Sequence, residues 1–99
     1  MSEPIFKLFF VRFRENWHQL PREAQLQLLA NMEAAFERAG GKRPVFCDCS
    51  WSAEQWSEFG VEEFPNLAAL QQFRRELEEI GWSRYVETQT FLGTKLEHA

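Results

Sequence analysis

The stretch IFKLFFVRF, residues 5–13, constrains this chain more than any other. Nine residues is strand length, and the apolar positions lack a helical period. Read with a period of two, Ile5, Phe9, Val11 and Phe13 fall on one face, and Phe6, Leu8 and Phe10 on the other. A strand that is apolar on both faces belongs in the middle of a sheet covered on both sides. The run is too short for a membrane helix, which needs about 20 apolar residues. Glu3 precedes the run, Lys7 breaks it, and Arg12 and Arg14 follow. That is the wrong charge order for a secretory leader. With two cysteines and no such leader, the expected location is the cytoplasm, with reduced thiols.

Residues 21–39 repeat their apolar positions at helical spacing. Ala24, Leu28, Met32, Ala35, Phe36 and Ala39 form one stripe, widened by Leu29. Pro21 suits the first helical position, and Gly40-Gly41 ends the helix. A second strand is predicted over 44–51, with Val45, Cys47, Cys49 and Trp51 on one face and Phe46, Asp48 and Ser50 on the other. After a turn at 52–54, residues 55–64 alternate as a third strand. Phe59 and Val61 point one way; Trp56, Glu58 and Glu62 point the other. Asn66 caps a second helix whose stripe is Leu67, Leu70, Phe73, Leu77 and Ile80, and Gly81 closes it. Residues 82–92 have the β-branched and aromatic bias of a fourth strand, and 93–99 form a tail.

The element order is β-α-β-β-α-β in 99 residues, one domain. Each helix carries a single apolar stripe, so both pack on one face of a four-stranded antiparallel sheet. Right-handed crossovers make this α+β and ferredoxin-like, with the first and third strands central. The order, the length and the doubly apolar first strand resemble the dimeric α/β-barrel superfamily, in which two ferredoxin-like sheets pack face to face. Trp17-His18-Gln19-Leu20-Pro21-Arg22-Glu23, with Trp82 and Tyr85-Val86-Glu87, is similar to the small darcynin-like proteins. The resemblance implies a homodimer joined through the sheet. The superfamily includes cofactor-free monooxygenases, haem-handling enzymes and isomerases, so fold alone does not choose a chemistry.

Few residues suggest chemistry. Cys47 and Cys49 sit two apart on a strand, about 6.6 Å, too far for a disulfide. A tetrahedral metal site needs four ligands, and His18 and His98 are the only histidines. No metal and no cofactor are expected. His18, in the loop after the first strand beside Trp17, is a candidate base, haem ligand or proton shuttle. Arg12 shares the Phe6 face and suits a carboxylate or enolate ligand; a plain ion pair with Glu58 or Glu62 is the competing account. Asp48 and Glu58 are expected to share the open sheet face, as two carboxylates of an acid/base site or as solvated hairpin partners. Arg84 and Tyr85 complete the polar residues read as lying inside strands. The eleven basic residues are scattered and the net charge is −4, which excludes a phosphate-tracking stripe and hence nucleic acid.

These readings predict a small aromatic or apolar molecule bound between sheet and helices. His18, Arg12 and Tyr85 are the catalytic candidates, and Trp17, Asp48, Glu58 and Arg84 the ligand-binding ones. The enzyme version is a cofactor-free oxygenase or isomerase; the alternative is a non-catalytic binding or interaction module. A cavity with converging polar groups separates the two, because a module would have a filled core.

Overall fold

A computed structural model describes residues 3–97; His98 lies outside the described residues. β1 (Ile5–Phe13) has the limits read from the sequence. It is followed by a four-residue helix α1 (Glu15–His18), then α2 (Arg22–Arg38), β2 (Lys42–Asp48), β3 (Glu58–Phe64), α3 (Leu67–Glu79) and β4 (Val86–Gly93). A 3-10 turn at Trp82–Arg84 precedes β4. The sheet is antiparallel in the order β2-β3-β1-β4, so β1 and β3 are central, as the ferredoxin-like reading requires.

Three local differences from the sequence reading have clear causes. β2 ends at Asp48, and Cys49 and Trp51 lie beyond it. The Asp48 carboxylate accepts from the Ser50 backbone N–H at 2.9 Å and from its hydroxyl at 2.7 Å. That side-chain turn competes with the ladder and takes the chain out of the sheet. Cys49 is buried in the loop with its Sγ 3.5 Å from the Trp56 carbonyl, and Trp51 is 82% exposed. Both cysteines are free thiols. β3 therefore starts at Glu58, and Trp56 is released from its strand position. Its ring packs on Phe10 at 6.0 Å, on the Phe59 face rather than the Glu58 face. Finally, Gly81 turns left-handed at φ 77° to close α3, and the chain makes a 3-10 turn before it extends. Arg84 and Tyr85 thus precede the last strand rather than sit inside it.

The helices cover the Phe9 face of the sheet. Two apolar clusters form on that side. Phe36 of α2 and Ala39 just after it pack with Phe64 of β3 and with Leu70 and Phe73 of α3 at one end. Phe9 and Val11 of β1 pack with Val86, Phe13 and Trp82 toward the other. The two clusters do not merge, and a space remains between them.

Gly60 shows how tightly the sheet side is built. A Cβ there would lie 2.5 Å from the Val45 carbonyl oxygen and 2.9 Å from the Phe9 ring. The Phe9 ring occupies the room a side chain would take. Gly60→Ala is expected to cost about 2 kcal/mol, because a backbone carbonyl and an aromatic ring must both move. Urea unfolding reads this directly as a lower midpoint at unchanged slope.

Candidate functional site

A cavity of about 550 Å³ lies between the sheet and the helices. Ligand pockets span about 300–1,000 Å³, so the space is of a size to take a small organic molecule. Its floor is the inner face of β1 and β4, from Phe9 and Val11 to Val86 and Thr88. Its roof is the first half of α2 and the inner side of α3, through Leu29, Met32 and Leu77. Leu26 and Phe46, both about half exposed, stand on its rim. One end is closed by stacked aromatics. Trp17 lies 4.7 Å from Phe13 and 6.0 Å from Trp82, ring centre to ring centre. α1 exists to place this residue: Trp17 is buried while its helical neighbours Asn16 and His18 face solvent. The Gln25 side chain donates to the Trp17 carbonyl at 2.9 Å and fastens α1 to α2.

The opposite end of the cavity carries buried charge, brought together from residues far apart in the sequence. Glu62 is 4% exposed and sits between Lys7 and Arg43. Arg43 grips it with Nε at 3.0 Å and Nη2 at 2.8 Å, and Lys7 Nζ stands 3.6 Å away on the other oxygen. Arg43 also reaches Glu33 at 2.8 Å and lies over the Phe36 ring at 4.4 Å. Lys7 is flanked by the Phe73 and Phe9 rings at 5.5 and 5.9 Å. Burial lowers the Lys7 ammonium pKa below its usual value, against the pull of Glu62. The register explains the meeting: Lys7 on β1 stands directly opposite Glu62 on β3. The signal available in the sequence was Lys7 itself, a charge on the buried face of an otherwise apolar strand.

Of the residues singled out from sequence, Trp17 and Glu58 line this cavity. The other five do not. Arg12 is on the opposite sheet face, and its partner is neither Glu58 nor Glu62. Both of those point to the helix side, whereas Glu87, paired with Arg12 across β1 and β4, receives it at 2.8 Å and also takes Arg14 at 3.1 Å. His18 is exposed at the end of α1. Arg84 is exposed, and its carbonyl accepts from the Asn16 side chain at 3.0 Å. Tyr85 abuts Trp17 from behind at 6.3 Å. Arg12 and His18 therefore do not converge on one mouth.

Asp48 and Glu58 do share a face, opposite each other across β2 and β3. That face is the helix side, not the open side, because Glu58 also pairs with inward-facing Val11. Burial raises the Glu58 carboxyl pKa above its usual value, and the nearby Asp48 charge adds to the rise. Asp48, exposed and held by Ser50, is shifted down. The two carboxyls are thus pushed apart, one keeping its proton to higher pH than the other. A raised folded-state pKa means that the Glu58 contribution to stability is complete below its unfolded pKa. It is lost as pH rises through the folded value. Glu58→Gln is therefore expected to be more stable relative to the parent chain at about pH 7 than at about pH 4. Urea midpoints of both chains at the two pH values test this; an unchanged difference rules it out.

No family model and no curated protein matches the sequence. Solved structures do resemble it. A mutant chlorite dismutase from Candidatus Nitrospira defluvii superposes with a TM-score of 0.77 at 13% identity, over 99% of this chain and 42% of that one. The same enzyme in complex with imidazole gives the same figures. A protein of unknown function from Rhodopseudomonas palustris gives 0.64 at 22% identity, over 98% of this chain and 85% of that one. The chain thus spans under half the length of the chlorite dismutase chains it matches. At these identities the likeness is one of fold. It agrees with the ferredoxin-like architecture expected from the dimeric α/β-barrel resemblance and does not single out the darcynin-like proteins. Among the described residues, no helix is long and apolar enough to cross a membrane.

Proposed function

We propose that this chain binds a small, mainly apolar and aromatic molecule in the cavity between sheet and helices. The observation that carries the reading is the separation of the core into two clusters with a 550 Å³ space between them. A domain of this size with no ligand to hold gains by closing such a space, since empty volume forfeits dispersion contacts. Trp17, Phe9 and Trp82 offer ring faces for stacking, and a few polar groups set orientation. A catalytic version assigns proton transfer to Glu58, whose carboxyl pKa is raised by burial above the ordinary glutamate value. In the same reading a second copy of the chain covers the open sheet face, and the resulting dimer is the working form.

The test fills the space. Leu29 lines the cavity from α2 and is only partly buried, so the larger ring of Leu29→Trp takes up cavity space with little loss elsewhere. Small aromatic molecules screened by calorimetry are expected to bind the parent chain, and Leu29→Trp is expected to lose them while unfolding at a similar urea midpoint. Equal binding by both chains would place the ligand elsewhere.

A further inference from the structure

The buried charges at the Phe73 end of the cavity do not balance, and we propose that they form a subsite for the carboxylate of an aromatic or apolar acid. The inference rests on the ligand-binding reading above and names the ligand's chemical class. Three side chains there are largely shielded from water: Lys7 at 14% side-chain exposure, Arg43 at 18% and Glu62 at 6%. Two of them are cations and one is an anion. Glu33, which also bonds Arg43, is 48% exposed and so is screened by water. Arg74 and Glu78 of α3, both exposed and so screened in the same way, also line the cavity with opposite charges and leave that balance unchanged. An unmatched positive charge in a shielded site attracts an anion more strongly than the same charge at the surface.

Geometry selects Lys7 as the contact. The Arg43 fork is already committed to Glu62 and Glu33. Lys7 Nζ is 3.6 Å from Glu62, beyond ordinary hydrogen-bond distance, so its donors remain for another acceptor. The flanking Phe9 and Phe73 rings hold the ammonium against the cavity wall. The lowered pKa of Lys7 agrees with incomplete compensation, which a bound carboxylate would supply. The apolar part of such a ligand would extend from Lys7 toward the Trp17 end.

The probes are 2-naphthoate and its neutral isostere 2-naphthamide, titrated calorimetrically into the full chain. Naphthoate is expected to bind about tenfold tighter than naphthamide, as a charge-assisted bond in a shielded site allows. Lys7→Met is expected to erase that preference while leaving naphthamide binding within about twofold. Arg74→Gln, at the exposed edge of the cavity, is expected to reduce the preference in part without disturbing the fold. If both probes bind the parent chain equally, the carboxylate subsite is overturned and the cavity reading stands. If Lys7→Met and Arg74→Gln both retain the full preference, the subsite is likewise overturned. If neither probe binds the parent chain, the ligand-binding reading fails first and the subsite with it.

Discussion

Glu62→Ala is expected to lower stability by about 3–5 kcal/mol, the usual cost of removing one partner from a buried ion pair. The substitution leaves Lys7 and Arg43 facing each other in a shielded space without the carboxylate that holds both. Arg43 keeps Glu33 at 2.8 Å, so the larger part of the loss falls on Lys7, which among the described residues has no second anion in contact. The double variant Lys7→Met/Glu62→Ala is therefore expected to recover a good part of the loss. Methionine fills the lysine's path between the Phe9 and Phe73 rings without a charge. Urea unfolding of the two single variants and the double gives the coupling energy, which should be well above about 1 kcal/mol. Additive losses would show that the three charges do not act as a unit.

Leu8→Asp is expected to abolish self-association. The helices occupy one face of the sheet. The other presents Leu8 beside its cross-strand partners Val61 and Phe91, next to Phe6, Phe10 and Val45. Leu8 is 37% exposed, Val45 43% and Phe91 55%. These side chains make a patch on the order of several hundred Å², at the upper end of what monomers expose. Burying it at about 25 cal/mol per Å² yields several kcal/mol per chain before association costs. Two identical faces related by a two-fold axis are the simplest closed way to do so. Sedimentation at low micromolar concentration is expected to give twice the chain mass for the parent protein and one chain mass for Leu8→Asp. Phe91 sits on an edge strand with over half its surface outward, so Phe91→Ser should weaken the dimer while sparing the fold. A parent chain that sediments as a monomer would sink the assembly.

The fold was largely legible in the sequence because it rests on periodicity. β1 is apolar at both parities and has the limits its composition suggests, and each long helix ends two residues before a glycine. What the pattern missed was set by side-chain turns and register. Asp48 bonding to Ser50 ends β2 early, and no hydropathy period reports that bond. The 3-10 turn after Gly81 pulls Arg84 and Tyr85 off β4 in the same way. The site was harder still. Lys7 and Glu62 are 55 residues apart, and only the pairing of β1 with β3 brings them together. Arg43 joins them from β2, whose register shifts between Lys42 and Val45. Polar residues that look chemical in isolation, such as His18 and Arg12, turned out to be exposed or paired on the other face.

The central claim is that the cavity under the helices, not the open sheet face, receives a small aromatic molecule. Methyl resonances report the two faces separately. Leu29, Met32 and Val86 line the cavity, whereas Leu8 and Val61 stand on the open face. With saturating 2-naphthamide, the Leu29, Met32 and Val86 methyl signals should shift while those of Leu8 and Val61 stay in place. Shifts confined to Leu8 and Val61 would contradict the account.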